Sequence, residues 1–289
     1  MSCNYCLTVA EIKIGFETDS ELVINESFAP FLINHTHCPD THVTIRTTTE
    51  KCVIPAEPLY SNQFFAAGKS ENDCRKMYYF SNGDPHDRCT VTTIFPDKQH
   101  ILIEYPEDTE NIELQNCFYH LGFESILLDR NKLCLHASCI ETPLGGLLFS
   151  GVSGIGKSTQ ADLWCRYRDA RYINGDRPIL SKENNGWLAW GSPYAGSSKH
   201  YVNDNTPVTA IMLLKQSRTC SLRRLTPAEA FRGIWAGLTV HTWDPAFVEK
   251  ASALAIDLIS AVPVFEFSCT PDENAVNALE QALRKELNL

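Results

Sequence analysis

The stretch 147-LLFSGVSGIGKSTQADLW-164 decides how this chain is read. An apolar run stops at Gly151, a glycine-rich turn follows, and Lys157, Ser158 and Thr159 open an amphipathic segment. Gly151-Val-Ser-Gly-Ile-Gly156-Lys157-Ser158 satisfies G-x-x-x-x-G-K-[ST] without a mismatch. The spacing has a physical reason. Backbone N–H groups of Gly151, Ser153, Gly154, Ile155 and Gly156 can curl around phosphate oxygens only if glycine occupies the tightest points. A helix starting at Lys157 would aim its positive end at the same oxygens, with Lys157, Ser158 and Thr159 in its first turn. Lys157 would reach the β- and γ-phosphates, and the Ser158 hydroxyl would face Mg²⁺. The alternative is a glycine-rich turn that fits by chance; a predicted strand before the loop and a predicted helix after it argue for the phosphate reading.

Outward from the loop, residues 129–289 read as an α/β domain. "KLCLHASCIET" is a predicted strand, Pro143–Gly146 a turn, "GLLFS" a buried strand, "GKSTQADLWCRYR" a helix and "ARYIN" a strand expected to lie parallel beside "GLLFS". "WLAWGSP" and "VTAIMLLKQ" are further strands. Thr226, with Glu229 three residues on, marks a capped helix start; "PAFVEKASALAIDLISAV" is a helix, "PVFEFSC" a strand, and "DENAVNALEQALRKEL" a capped terminal helix. Residues 1–128 read as a β-rich region packed on that domain. "LTVAEIKIGFET", "HVTIRTTT", "MYYFSN", "CTVTTIFPD" and "HILIEYPE" alternate apolar and polar residues and suggest an antiparallel layer, followed by one helix in "IELQNCFYHLGFESILLDRN".

Composition narrows the function. Of 289 residues 44% are hydrophobic and 21% charged, the profile of a globular chain. A net charge of −10 and the lack of any basic run exclude a nucleic-acid surface. With no apolar stretch near the ~20 residues that span a bilayer and no signal-peptide start, no membrane partner and a cytoplasmic location are expected. The twelve cysteines are scattered and read as small buried hydrophobes. Cys3-x-x-Cys6 has the spacing of half a zinc site that His35, His37 and Cys38 could complete, but loops rich in His and Cys are commonly only loops.

Among phosphate-loop classes, the chain lacks L-S-G-G-Q and any N-K-x-D after the loop, which leaves a small kinase or a nucleotide-gated binder. "LHASCIETPLGGLLFSGVSGIGKSTQADL…ARYINGDRPIL" resembles the HPr kinase family, a P-loop group with a phosphoenolpyruvate carboxykinase-like fold. In that family a His precedes the loop, and an acidic pair followed by Arg ends the strand after the loop helix. His136 lies fifteen residues before Gly151, and Asp176-Arg177 fits the second acid and the Arg. "GSPYAGSS", 191–198, resembles a segment of HPr kinase-like proteins encoded beside modified-peptide pathways. The resemblance covers about residues 132–285 and departs at one place: the first acid, the proton acceptor of the family, is Gly175 here.

The resemblance implies an ATP- and Mg²⁺-dependent kinase with catalytic Asp176, Arg177, His136 and Lys157, and with Ser158 and Asp176 on the metal. The phosphoryl acceptor would be a Ser/Thr hydroxyl of a peptide or protein, or else a small hydroxyl compound; a non-catalytic nucleotide-binding regulator is the other alternative. Read from the residues alone, Asp176 is a Walker B-like acid or a turn residue, and Arg177 a charge stabiliser or a surface ion pair. His136 is a phosphate contact or a core histidine. Ser192, Ser197, Ser198, Lys199 and His200 form an acceptor-facing loop or a solvated hairpin tip, and Arg223 and Arg224 face solvent. Trp187, Trp190, Trp235 and Trp243 belong to the core or to the interface of a homo-oligomer.

Overall fold

The structure, a computed structural model, describes residues 4–34, 39–70, 72–80, 89–194 and 196–288. They form a mixed α/β architecture in two compact units, Met1–Ile126 and Leu127–Leu289. Cys3, His35, His37 and Cys38, the candidate metal set, lie outside the described residues or, for Cys6, are buried in a strand.

The first unit is one sheet. Its strands are β1 (Tyr5–Val9), β2 (Ile12–Thr18), β3 (Thr41–Thr48), β4 (Tyr60–Ser61), β5 (Phe65–Lys69), β6 (Arg75–Phe80), β7 (Cys89–Ile94) and β8 (His100–Pro106), in the order β1-β2-β3-β8-β7-β6-β5-β4. Four sequence expectations are corrected here. The sheet is mixed, because β3 runs parallel to both β2 and β8. "LTVAEIKIGFET" is a hairpin, since Ala10 and Glu11 both take positive φ (48° and 67°) and turn the chain between β1 and β2. The single helix becomes two, α1 (Leu114–His120) and α2 (Phe123–Asp129), because Gly122 at φ 67° leaves the helical region between them. Nor are all cysteines free: Cys52 and Cys89 form a disulfide.

A polar knot closes the end of α1. The Tyr105 hydroxyl lies 3.1 Å from His120 Nδ1, the Tyr79 ring packs on the imidazole at 4.4 Å, and Tyr79 and Thr92 hydroxyls both donate to the His120 carbonyl. Burial pushes His120 down to about 4. Between that value and the ordinary 6.5, the unfolded chain takes up a proton that the folded chain refuses, so stability is intact above pH 6.5 and falls toward pH 4. At ~1.4 kcal/mol per unit the loss reaches about 3 kcal/mol. Denaturant melts of wild type and His120→Gln between pH 7 and 4 check this; equal acid sensitivity in the two would discount His120.

The second unit is a sheet between two helical layers. Its strands are β9 (Lys132–Cys134), β10 (Ala137–Thr142), β11 (Gly145–Ser150), β12 (Arg171–Asn174), β13 (Ile179–Glu183), β14 (Gly186–Trp190), β15 (Asn205–Gln216), β16 (Ser221–Arg224) and β17 (Val264–Cys269). The order β12-β10-β11-β15-β14-β13-β9 is extended by β17 on β15 and by β16 on β17. The helices are α3 (Lys157–Tyr167), α4 (Pro227–Gly237), α5 (Pro245–Ala261) and α6 (Glu273–Leu287).

Side-chain alternation explains the layers. In β11, Leu147 and Phe149 join Trp164, Val276, Leu279 and Leu283 on the α3/α6 side, while Leu148 joins Ile234, Phe247 and Leu258 on the α4/α5 side. A strand buried on both faces therefore reads as a continuous apolar run. Each such fully buried Leu or Phe contributes roughly 1.5–3 kcal/mol. The helix starts follow local chemistry: Thr226 and Glu229 make a reciprocal capping box, and Asp244 and Asp272 cap α5 and α6. Of the tryptophans, Trp187 is core and Trp235 packs partly against it.

Two corrections bear on the site. "KLCLHASCIET" is not one strand, because β9 pairs with β13 while β10 pairs with β11 and β12, so the chain breaks at Leu135-His136. Nor is β12 the neighbour of β11. β10 lies between them, antiparallel to both, and the parallel neighbour of β11 is β15. Two antiparallel steps restore direction, so β11 and β12 still end at the same edge of the sheet, where β10 begins. That edge carries the candidate residues.

Candidate functional site

The loop after β11 is shaped by its glycines. Gly151, Gly154 and Gly156 have φ of 145°, 77° and 109°, a region that side-chain-bearing residues rarely enter, and Gly156 serves as the left-handed N-cap of α3. A Cβ on Gly151 would stand 3.2 Å from Ile155 Cγ2, so the first glycine also makes room for the apolar residue that anchors the loop to the core. Ser153 and Gly154 are exposed, Ile155 and Gly156 half-buried. The side chain of Gln216, at the end of β15, donates to the carbonyls of Gly154 and Ile155.

Lys157 opens α3, and its ammonium donates to the carbonyls of Gly151 (3.1 Å) and Val152 (3.4 Å). The residue is only 9% exposed and pairs with no carboxylate among the described residues. Burial depresses its pKa; Asp176 opposes that effect and Arg177 adds to it. Ser158 follows in the first turn, half-buried, and its carbonyl accepts from the Tyr172 hydroxyl. Thr159 is exposed.

The other candidates arrive at the same edge by topology. His136 immediately precedes β10, one step beyond the Ala137–Ser150 pair, while Asp176 and Arg177 follow the end of β12. The Ala137 N–H donates to the Asp176 carbonyl, and the His136 carbonyl accepts from the Ser150 hydroxyl. His136 Nε2 stands 3.4 Å from Asp176 Oδ1, and Arg177 Nε 3.5 Å from Asp176 Oδ2. His136 is thus not a core strand histidine but a half-exposed group facing a carboxylate. Burial lowers its pKa, with Lys157 and Arg177 adding to the effect and Asp176 opposing it. Arg177 lies against Asp176 and donates to the Thr239 hydroxyl at 2.7 Å.

Sequence reasoning missed the supports. Residues 237–239, at the end of α4, run along 134–136: the Gly237 carbonyl accepts from His136 N–H, the Thr239 N–H donates to the Cys134 carbonyl, and Leu238 bridges Leu135. A Cβ at Gly237 would stand 3.0 Å from Leu135 Cδ1 and 3.1 Å from the Ser150 hydroxyl, a tight fit that a side chain could enter only if these neighbours shifted. No sequence signal tied Thr239 to Arg177, 62 residues away. Asn174 did leave a signal, an Asn two residues before Asp in a turn sequence.

The described residues of the 191–200 segment form a wall beside Asp176 that is buried at its start and exposed at Gly196, Ser197, Lys199 and His200. Ser192 and Tyr194 are buried. Gly196, at φ 56°, lies so near Asp176 that a Cβ would stand 2.8 Å from Asp176 Cβ and Cγ. Lys199 is exposed, with φ 54°, and the His200 ring stacks on Tyr172 at 3.9 Å. Gly175 is explained by this wall: a Cβ there would collide with the Ser198 hydroxyl. Arg223 reaches Glu229 rather than the loop.

Chemically, the edge offers exposed backbone of a helix-opening loop, two cations, one carboxylate and one imidazole. Such a set suits a multiply charged anion with a divalent cation. A carboxylate at Asp176 and a hydroxyl at Ser158 match the hard-oxygen ligands of Mg²⁺, which keeps several waters and takes the rest from phosphate. No group of three or more His, Cys, Asp or Glu able to hold a metal occurs among the described residues. Equally, none of their helices is long and apolar enough to cross a membrane.

What these features define is a mixed α/β chain with a glycine-shaped strand-to-helix loop at one sheet edge. No protein-family model matches the chain, and no curated protein sequence matches it. Among solved structures it is similar to the HPr(Ser) kinase/phosphatase from Coxiella burnetii, over 54% of this chain and 99% of that one, with 15% identity and a TM-score of 0.34. That is a weak structural relationship.

Proposed function

We propose that the second unit is a P-loop kinase domain that transfers the γ-phosphoryl of ATP to a hydroxyl, with a Ser/Thr of a peptide or protein as the acceptor class. The observation that carries the reading is the meeting of Lys157, His136, Asp176 and Arg177 at one sheet edge, close enough for Asp176 and Arg177 to perturb both Lys157 and His136. Residues 151–159 bind the phosphates: the loop amides and α3 face the oxygens, and Lys157 exchanges its two carbonyl partners for the β- and γ-phosphates. Ser158 and Asp176 would hold Mg²⁺, which neutralises charge between the β- and γ-phosphates when bound. Arg177, restrained by Thr239, stabilises charge on the moving phosphoryl group. His136 orients the γ-phosphate or the acceptor. The absence of the first acid is tolerable, because a loose phosphoryl-transfer transition state asks little of a base.

One observation favours a second reading. Since Ser198 fills the space beside Gly175, this edge could serve a nucleotide-binding regulator that transfers nothing. Asp176→Asn tests the first reading: turnover at limiting Mg²⁺ should collapse while ADP affinity without metal is unchanged. Normal turnover at limiting Mg²⁺ would return Asp176 to the status of a turn residue. If wild type neither transfers phosphate nor hydrolyses ATP above a Lys157→Ala blank, the regulator reading takes its place.

A further inference from the structure

We propose that Asn174 is the positioning residue of this site: it sets where Asp176 and Arg177 stand relative to the loop, and so decides whether a metal-bound nucleotide is gripped. The inference rests on the kinase-domain reading above and adds a residue to which no role has been given.

Asn174 ends β12 and is fully buried, at 0% exposure. A buried amide is costly unless its two acceptor lone pairs and two N–H groups find partners. Here all are engaged. Its Oδ1 accepts from the backbone N–H groups of Asp176 (2.9 Å) and Arg177 (2.6 Å), closing a turn over the two residues. Its Nδ2 donates to the carbonyls of Ser192 (2.9 Å) and Tyr194 (3.2 Å), with the Ser192 hydroxyl at 3.3 Å. The Ser192 hydroxyl in turn donates to the Arg177 carbonyl at 2.7 Å.

One side chain therefore ties two segments together. The functional turn is held at both amides by Asn174, at the Asp176 carbonyl by Ala137 and at the Arg177 carbonyl by Ser192. The facing wall is held through Ser192 and Tyr194, and it places Gly196 against the Asp176 side chain. A turn needing only closure would be served by an exposed Asp or Ser bonding forward. Full burial, with both ends of the amide used, serves instead to fix a carboxylate between a turn and a wall. A site held to within about 0.5 Å depends on such support, and a misplacement of about 1 Å can cost on the order of 10²-fold.

The test separates position from folding and from the kinase reading itself. ATP affinity with and without Mg²⁺, and ADP affinity in EDTA, are measured by calorimetry on full-length wild type, Lys157→Ala, Asn174→Ala and Ser192→Ala, with a thermal melt of each. In wild type, Mg²⁺ should raise ATP affinity. Asn174→Ala should lose most of that gain, roughly tenfold or more, and keep ADP affinity in EDTA within about twofold of wild type. Ser192→Ala, which removes one hydroxyl, should move the same way by less. It carries the test if Asn174→Ala does not fold. A full Mg²⁺ gain in the folded variants overturns the proposal, as does an equal loss of metal-free ADP affinity, which would make Asn174 a support of the fold alone. Wild-type ATP affinity no better than that of Lys157→Ala would instead remove the kinase-domain reading, and this proposal with it.

Discussion

Lys157→Ala is expected to weaken ATP binding at least about 100-fold while leaving the chain folded. The ammonium now rests on two loop carbonyls, so it is buried yet unpaired with any carboxylate among the described residues. Charge-assisted hydrogen bonds contribute roughly 1.5–3 kcal/mol each, so two to phosphate oxygens, less what the two carbonyl contacts give up, are worth a factor on the order of 10². The fold should survive, because Ile155, Ala161 and Trp164, not Lys157, bury the loop and α3 in the core. Calorimetry with ATP, paired with a melt, decides the matter, and undiminished affinity in a folded variant would remove the phosphate reading of the loop.

Arg177→Ala is expected to depress phosphoryl transfer, or slow ATP hydrolysis by water, by about 10²–10³-fold, and to leave ADP affinity nearly unchanged. ADP lacks the phosphate that Arg177 would meet. The side chain is held by Thr239 on one side and lies beside Asp176 on the other, so little reorganisation is needed when charge develops. Arg177→Lys should recover only part of the loss, since a point charge cannot keep both the Thr239 bond and a planar contact to the phosphoryl oxygens. Single-turnover kinetics beside ADP calorimetry distinguishes the cases. A rate within about threefold of wild type would place Arg177 among ordinary ion pairs, which contribute little.

Much of the second unit was legible because its signals are local. A Thr–Glu capping pair, Asp caps, helical apolar spacing and an apolar run flanked by glycine each act within a few residues, and α3 to α6 and β11 follow them. The loop's glycines were legible for the same reason, since a positive φ is the property of one residue. The first unit was read less well. Positive φ at Ala10 and Glu11 carries no glycine to announce the hairpin, and parallel pairing of β3 depends on strands far away in sequence.

The chain's own order of residues thus determined the candidate groups: a glycine-shaped loop, Lys157, and an Asp-Arg pair after a strand. Tertiary structure decided how they meet. β10, inserted between β11 and β12, reverses direction twice and brings His136, Lys157 and Asp176 to one edge. Thr239, Gly196 and Ser198 come from segments remote in sequence, and Asn174 ties the turn to one of them. Only packing can decide such contacts, because a buried amide or a missing Cβ acquires meaning from the atoms that other parts of the chain place against it.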